Sequence, residues 1–277
     1  MNQPDYVQKH GSNILDIVHG GQSPLLDDPA ENYLQASKLT REGLAWETPM
    51  IPILMESEDL QKTSMRSARR YDSRPFERFE NVKEVSPTLK RALSERRSTF
   101  RFADQKLELG ELASILETAF GTYPVTADQM RRNTPSGGAL YPLDIFVVAR
   151  DVSGLNRDSL YFYDPFRHGL SDLKTSVDMD FFRRSLLLPD EIKEIPAFLI
   201  LSACIWRSRF KYGQRAYRFC CIESGHLAQN ILTVATDIGL GSRIFGGFID
   251  DEVVSILPDA NGIDDVPMYV IGLGRRP

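Results

Sequence analysis

The sequence has 277 residues, of which 42% are hydrophobic and 26% are charged, and its formal net charge is -5. These values are ordinary for a soluble globular protein, and the acidic balance disfavours nucleic acid or an anionic membrane surface as a partner. No apolar run approaches the roughly 20 residues that a membrane-spanning helix needs. The first residues lack the basic and apolar regions of a secretory signal. We therefore expect a cytoplasmic protein without a membrane segment.

Cysteine and histidine usage argues against disulfides and metals. The three cysteines, Cys204, Cys220 and Cys221, are too few and too close together for a disulfide framework or a zinc site. None of the four histidines has metal-ligand spacing to a second histidine or cysteine. Free thiols and no bound metal are expected.

Residues 1–85 show no clear periodicity, because prolines, paired aspartates and basic runs interrupt it. Scattered apolar residues such as Tyr33, Leu34 and Trp46 are more than a disordered tail would carry. We predict an extended arm that packs on the main body or on a second subunit. Residues 86–277 form the main domain in this interpretation.

The main domain begins with two predicted helices. Ser86 and Pro87 are typical of a helix start. Residues 109–120 follow as an amphipathic helix that Gly121 ends. Residues 122–134 are predicted to form a loop.

Four strands are predicted further along the chain. They are residues 144–149, residues 159–165, the continuous apolar run Ala197–Cys204 and residues 267–272. Between them we predict a polar helix at 177–188 and a short helix at 250–257, the latter capped by Asp250 and Asp251. Because helices and strands mix without strict alternation, the pattern favours an α+β fold with a central sheet flanked by helices.

The stretch Lys211–Phe248 contains one long predicted helix. Its apolar stripe is Leu227, Ile231, Val234 and Ile238, and a polar row runs beside that stripe. The polar row comprises Glu223, His226, Asn230, Thr233 and Asp237. Glycines 239 and 241 end the helix. A polar row beside a core stripe indicates a wet cavity or an interface, and a solvated surface helix remains the alternative.

Motifs in this stretch resemble a known family. They read Tyr-Gly-x-Arg-x-Tyr-Arg, Glu-x-Gly-His-x-x-Gln-Asn, Gly-Leu-Gly and Gly-Gly-Phe, in that order. Their combination resembles the SagB-type (McbC-like) azoline dehydrogenases of the nitroreductase superfamily, and the resemblance spans roughly residues 87–274. It implies a nitroreductase-like fold, a mostly antiparallel sheet in an intertwined homodimer, and FMN bound at the subunit interface.

The resemblance also implies a set of cofactor-binding residues. Arginine forks and a serine hydroxyl suit a phosphate, and the family carries Arg-Arg-Ser-x-Arg for the FMN phosphate and ribityl chain. Here the second arginine comes one place late, at Arg101. The assigned residues are Arg96, Arg97, Ser98, Arg101, Pro135, Ser136, Gly137, Gly138, Leu140, Gln229, Asn230, Gly246, Gly247 and Arg275.

The resemblance also implies a role in cofactor binding for each of several segments, as follows. The Pro135–Gly138 turn comes from the second subunit and touches FMN, and Ala139 or Leu140 replaces the asparagine of simple nitroreductases. Gly246 and Gly247 present a backbone N–H to the redox nitrogen of the flavin. The alternatives are a solvated helix end, plain turns and a charged tail.

Lys211 and Tyr212 are the candidate catalytic pair. A lysine acts as a base only if burial or nearby cations depress its pKa, and Arg207, Arg209, Arg215 and Arg218 crowd it in sequence. A solvated basic connection is the alternative. In azoline dehydrogenases a Lys-Tyr pair at this place is the catalytic motif, and simple nitroreductases lack it.

The implied reaction is the oxidation of a thiazoline or oxazoline in a peptide to a thiazole or oxazole, with dioxygen reoxidising the flavin. The implied partners are a second copy of the chain and the azoline peptide, together with cyclodehydratase subunits or a carrier protein. Two other hypotheses stay open: an NAD(P)H-dependent nitro or quinone reductase, and a non-catalytic flavin-bearing scaffold.

Overall fold

Antiparallel strands dominate the computed structural model, which describes residues 29–44, 50–65, 83–126, 129–188 and 194–277. The strands of these residues are β1 (Thr122–Thr126), β2 (Gln129–Arg132), β3 (Leu143–Ala149), β4 (Ser159–Asp164), β5 (Gly169–Ser176), β6 (Ala197–Cys204), β7 (Leu240–Phe245) and β8 (Asp265–Arg275). Six of them form one sheet in the order β5-β4-β3-β6-β8-β7, and every pairing in it is antiparallel. The first two form a separate hairpin.

Nine α-helices accompany these strands within the described ranges. They are α1 (Pro29–Ala36), α2 (Met50–Glu56), α3 (Glu58–Met65), α4 (Pro87–Glu95), α5 (Leu109–Phe120), α6 (Met179–Ser185), α7 (Trp206–Tyr212), α8 (Ala216–Asp237) and α9 (Asp250–Val254). None of them combines the length and apolarity that crossing a bilayer requires.

The strand β6 lies at the centre of the core, and all of its residues are buried, as its continuous apolar run predicts. Leu199 and Leu201 pack on one side with side chains of α5 and α8. Phe198 and Ile200 pack on the other side with side chains of α6 and α9. Burial of apolar surface on both faces of one sheet is the main stabilising contribution here. The predicted α+β fold, with a mostly antiparallel sheet flanked by helices, is confirmed.

Four strands were not predicted, namely β1, β2, β5 and β7, and each forms where the local sequence gives little signal. Residues 122–134, predicted as a loop, contain the β1–β2 hairpin, in which Tyr123, Val125 and Met130 are exposed. The strands β5 and β7 are the edges of the sheet. Edge strands keep one face or side in solvent, so their sequences lack a strong apolar pattern.

The helix α8 buries a wider face than the predicted apolar stripe. Leu227 and Ile231 are buried as expected, but Ile238 is 37% exposed. The buried row also includes small and polar residues, among them Cys220, Glu223, Ser224, Ala228 and Ala235. Small residues allow close approach to neighbouring elements, so the buried face extends beyond the apolar stripe. The helix ends before Gly239, whose φ is +81°, as predicted.

The described part of the N-terminal region is helical, which corrects the prediction of an extended arm. Residues 29–44 contact the acidic start of α9: Lys38 Nζ lies 2.8 Å from Asp251 Oδ1, and the Leu39 N–H donates to Asp250 Oδ2 over 2.9 Å. The prediction that Asp250 and Asp251 cap α9 is therefore wrong, because their side chains bind residues 38 and 39 instead. Residues 1–28 and 66–82, with Trp46, lie outside the described residues, and a boundary near residue 85 stays a prediction.

Candidate active site

The predicted catalytic pair lies against the predicted glycine turn. Gly138 has φ +67° and ψ 15°, a left-handed conformation that glycine adopts readily. A Cβ atom at this position would overlap Tyr212 Oη and lie 3.0 Å from Lys211 Nζ. A side chain at this position would force the Tyr212 phenol to move from its present place. The structure thus brings Lys211, Tyr212 and Gly138 together within one chain.

Helix α7 holds the pair at the edge of the body. Tyr212 is half-buried and packs edge-to-face on Phe219 of α8, with ring centroids 4.8 Å apart. Phe219 also covers Gly137, where a Cβ atom would lie 3.3 Å from the ring. Lys211 is exposed, and its Nζ lies 5.2 Å from the centroid of the Tyr212 ring. The aromatic pair fixes the turn and the phenol, while the amine faces outward.

The turn that carries Gly137 and Gly138 is fastened at both ends. The Tyr141 N–H donates to Ser136 Oγ over 2.9 Å. Asn230, predicted to bind the cofactor, donates from Nδ2 to Thr134 Oγ1 over 3.2 Å. Asn230 thereby joins α8 to the base of the turn. Of the other predicted turn residues, Pro135 is exposed and Leu140 is half-buried.

Two charged residues near this turn were missed as site residues: Glu223, which is buried, and Arg132, which is half-buried. Glu223 is only 2% exposed, and neither carboxylate oxygen has a hydrogen-bond partner of good geometry among the described residues. Burial raises the pKa of Glu223 to about 7, while the nearby Ser136 hydroxyl and the Arg132 guanidinium lower it. Arg132 lies over the rings of Phe120 and Tyr141, at 4.5 and 4.9 Å, and burial lowers its pKa.

Glu223 was predicted to lie in the polar row of α8, beside a water-filled cavity or an interface. The motif Glu-x-Gly-His includes this residue, but no role was assigned to it from the sequence. Arg132 had no signal, because its partners come from other elements. Glu223 lies near Ser136, and Arg132 lies over the Tyr141 ring, so two partly desolvated ionisable groups adjoin the turn.

The cationic field expected around Lys211 is smaller than predicted. Arg207 makes a two-point ion pair with Asp144, with both N–O distances 2.7 Å. Arg209 pairs with Glu31 of α1 and lies over the Trp206 ring at 4.2 Å. Arg215 and Arg218 are exposed. Two of the four arginines are thus neutralised by carboxylates, and the other two are solvated.

A second group of candidates lies along β7. Ser98 forms a parallel bridge with Ser242, and the Thr99 N–H donates to the Ser242 carbonyl over 2.9 Å. Arg96 is half-buried. Arg97 Nη1 donates to the backbone carbonyls of Ser94 and Arg96, at 2.7 and 2.8 Å. The predicted phosphate-binding residues therefore lie next to the start of this edge strand.

Other candidates reach this end of the sheet to different degrees. The Ala103 N–H donates to the carbonyl of Arg275, so the end of β8 lies beside the same segment. The Arg275 side chain forms an ion pair with Glu111 at 2.8 Å. Arg101 is exposed. The described contacts do not orient either side chain toward Ser98.

The remaining predicted residues lie apart from both groups. Gly246 and Gly247 follow β7, where a Cβ atom at Gly246 would lie 3.2 Å from the Tyr269 ring and one at Gly247 3.9 Å from Leu39. Gln229 lies on the exposed side of α8 and donates to Thr233 Oγ1 over 3.1 Å. No described contact joins Gln229 to the other candidates.

The two groups occupy opposite ends of the central sheet. Leu143, which follows the glycine turn, pairs with Ala203, and β6 ends one residue later, just before α7. Ser242 pairs with Leu273, which pairs with Ala197 at the start of β6. At about 3.3 Å per residue, the length of β6 separates the two levels by roughly 20 Å. Within one chain, the Lys-Tyr group and the arginine group cannot meet.

Known proteins are similar to this chain in sequence and in fold. The profile of the family described as "Nitroreductase family" matches residues 93–275. MJ1384 of Methanocaldococcus jannaschii, named as a nitroreductase, is 35% identical over 188 residues, which cover 68% of this chain and 91% of that protein.

Two further relatives are named for peptide processing. The microcin B17-processing protein McbC of Escherichia coli is 30% identical over 58% of this chain and 60% of its own length. The trifolitoxin-processing protein TfxB of Rhizobium leguminosarum bv. trifolii is 29% identical over 42% of this chain. The match covers only 32% of TfxB.

Solved structures share the fold. A crystal structure of a nitroreductase-type protein from Ralstonia eutropha JMP134 has a TM-score of 0.58 and 25% identity, and the match covers 72% of this chain and 87% of that one. The E. coli microcin synthetase McbBCD complex with truncated pro-MccB17 contains a chain with a TM-score of 0.60 and 21% identity. That match covers 100% of this chain and 98% of the other.

Proposed function

Because the chain belongs to the nitroreductase family, we propose that it is an FMN-dependent oxidoreductase that matures peptide natural products. Its reaction is the oxidation of a thiazoline or oxazoline ring in a peptide to a thiazole or oxazole. The observation that carries this proposal is the contact of Lys211 and Tyr212 with Gly138. It places an amine and a phenol against a turn in which a Cβ atom at position 138 would overlap the phenol oxygen.

Similarity to two processing proteins supports a peptide substrate. McbC and TfxB are named for the maturation of microcin B17 and trifolitoxin, respectively. Both matches cover less than two thirds of those proteins, so the substrate and activity are carried over as part of the proposal. The McbBCD structure, a complex with truncated pro-MccB17 bound, supports further protein subunits as partners. Their identity as a cyclodehydratase or a carrier protein is part of the proposal.

The residues beside β7 have the chemistry that an FMN phosphate requires. Arginine guanidinium groups and a serine hydroxyl donate charge-assisted hydrogen bonds to phosphate oxygens. Arg96, Arg97 and Ser98 would hold the phosphate, and the backbone of Gly246 and Gly247 would face the ring. When bound, FMN accepts a hydride from the substrate, and dioxygen reoxidises it.

The separation of the two residue groups supports a homodimer with composite sites. The roughly 20 Å between the two ends of β6 exceeds the reach of the ribityl chain that joins the flavin ring to its phosphate. A complete site therefore needs the arginine group of one protomer and the Lys-Tyr group of its partner. A two-fold dimer supplies two such sites.

The chain's own contribution to the reaction is proton removal. Lys211 is exposed in the single chain, and in the proposed site the partner protomer and the peptide would cover it. There its amine, assisted by the Tyr212 phenol, takes the proton from the ring carbon next to the carbonyl. The second hydrogen leaves the adjacent carbon with its bonding electrons, so the ring loses two hydrogens and becomes aromatic. A positioned base lowers the barrier of this step. The edge-to-face contact of Tyr212 with Phe219 holds the phenol in place.

The test is the purified protein with FMN and a thiazoline-containing peptide, followed by mass spectrometry. We expect a yellow protein and a product lighter by two hydrogens. A colourless protein that does not bind added FMN would contradict the proposal. A yellow protein that leaves both thiazoline and oxazoline peptides unchanged would contradict the reaction.

A second candidate function is an NAD(P)H-dependent nitro or quinone reductase, which the similarity to MJ1384 favours. Rapid loss of flavin colour with NAD(P)H, followed by reoxidation by a nitroarene, would support it. A non-catalytic scaffold is the third candidate. In that case, product formation by a complete complex would not change on substitution of Lys211 by alanine.

A further inference from the structure

Arg243 of β7 has surroundings that the proposed function does not yet use. Its guanidinium carbon lies 4.6 Å from the centroid of the Phe100 ring and 5.1 Å from that of Phe245. Phe245 is buried, whereas Phe100 is 62% exposed. Contacts with two aromatic rings restrict the planar guanidinium without neutralising it.

The charge of Arg243 lacks a complete set of partners. Its Nη1 atom is buried and has no hydrogen-bond partner among the described residues. Burial lowers the pKa of this guanidinium, and no carboxylate in the described part of the chain offsets that effect. A buried donor without an acceptor is costly, so this position suits an anion that arrives from outside the chain.

The position of Arg243 is next to the predicted phosphate-binding segment. The Thr99 N–H donates to the Ser242 carbonyl over 2.9 Å, and the Ser242 N–H donates to Thr99 Oγ1 over 3.2 Å. These bonds hold residues 98–100 alongside the strand residue that precedes Arg243. The Arg243 guanidinium therefore lies beside Phe100.

Phe100 occupies the place of a missing arginine. The pattern Arg-Arg-Ser-x-Arg, which the resemblance associates with the phosphate, reads Arg96-Arg97-Ser98-Thr99-Phe100 here. The ring at position 100 carries no charge but lies against the Arg243 guanidinium. A cation from the neighbouring strand thus lies beside position 100, which itself carries no charge.

We propose that Arg243 binds the phosphate group of FMN and replaces, from β7, the arginine absent at position 100. The inference rests on the proposed function, because it assumes a flavin phosphate beside Ser98. The ligand chemistry is a phosphate monoester, and the guanidinium donates one or two charge-assisted hydrogen bonds to it.

The experiment titrates flavin-free protein with FMN and with riboflavin, which lacks the phosphate, and follows flavin fluorescence. Wild type is expected to prefer FMN, and Arg243→Gln should weaken FMN binding roughly 10- to 100-fold while leaving riboflavin binding unchanged. Arg167→Gln is the matched control, because Arg167 pairs with Asp164 in the turn between β4 and β5, far from β7 in the strand order. It should bind both flavins like wild type.

A second variant tests the replacement itself. Phe100→Arg introduced into Arg243→Gln should restore much of the preference for FMN over riboflavin, because it returns a guanidinium to the same place. Thermal unfolding of the flavin-free variants separates a binding defect from misfolding. If Arg243→Gln does not fold, Arg243→Lys is used, and it should show an intermediate FMN affinity because lysine keeps the charge but loses the fork.

The outcomes separate this inference from the proposed function. Wild type that binds no FMN would contradict both. An unchanged FMN preference in Arg243→Gln, or in Arg243→Lys if that is the folded variant, would overturn the role of Arg243 and leave the proposed function intact. Inorganic phosphate should compete with FMN for wild type. If it protects Arg243 from guanidine-modifying reagents without displacing FMN, the site is a separate anion site and the inference is wrong.

Discussion

The two ends of the central sheet are built in different ways. At the end where β3 begins, a glycine in a left-handed conformation adjoins Lys211 and Tyr212, and the Tyr212 ring packs on Phe219. The buried Glu223 lies near the same turn, beside Ser136. At the end where β7 begins, the arginines are exposed or half-buried, and the Ser98 backbone is tied to the strand. The first end suits chemistry that needs fixed geometry, and the second suits binding of a charged group. A substitution at one end should therefore leave the function of the other end intact.

The largest expected effect is at the Lys-Tyr end. Lys211→Ala should lower azoline oxidation by roughly 10²- to 10⁴-fold, because it removes a positioned base. FMN content, measured by absorbance, should stay at the wild-type level, since the arginine end is untouched. Lys174→Ala is the control, because this lysine is exposed on β5 and pairs with Asp172. Oxidation that survives in Lys211→Ala would remove the catalytic role.

Glu223 should make the stability of the Lys-Tyr end depend on pH. Its folded-state pKa is about 7, above the ordinary value for a glutamate, so the folded state holds the proton more tightly than the unfolded state. The stabilisation is therefore complete below the unfolded pKa and is lost as pH rises through about 7.

Glu223→Gln tests this dependence. At pH 8 the variant should be more stable than wild type by on the order of 3 kcal/mol, and the difference should vanish near pH 4. Urea unfolding across this pH range measures it. Parallel stability profiles for the two proteins would mean that the carboxyl is solvated in the folded state.

Gly138→Ala should produce a smaller effect on stability, about 2 kcal/mol, because alanine is strained at φ +67° and its Cβ meets Tyr212 Oη. Activity should fall as the phenol moves. Gly239→Ala is the matched control: its φ is +81°, but a Cβ atom there meets nothing within 4 Å. Equal loss of activity in both variants would show that the contact with Tyr212 has no functional weight.

The sequence predicts the elements whose own residues determine them. Helix α5 was predicted with both of its ends, because its apolar spacing and Gly121 are local signals. The strand β6 followed from a continuous apolar run. The edge strands β5 and β7 did not, since their pairing depends on neighbours far along the chain. The described part of the N-terminal region was predicted as extended, because its short helices bury few residues.

For the site, motifs selected the residues but not their arrangement. Lys211, Tyr212 and the glycine turn were each identified, yet only the fold brings them into contact. Arg243 was missed because a lone arginine in an edge strand has no motif. Glu223 was identified in a polar row, but its burial depends on the packing of α8 beneath the turn. The separation of the two residue groups along β6 required the strand pairings.

The central claim is that each site combines the arginine group of one protomer with the Lys-Tyr group of the other. This arrangement is tested most directly with mixed dimers that are isolated by two affinity tags. One chain of each dimer carries Lys211→Ala, and the other carries Arg96→Gln and Arg97→Gln. Each such dimer retains one intact site, so we predict azoline oxidation at about half the wild-type level per dimer, although both parent proteins are nearly inactive. Mixed dimers no more active than the parents would contradict the claim.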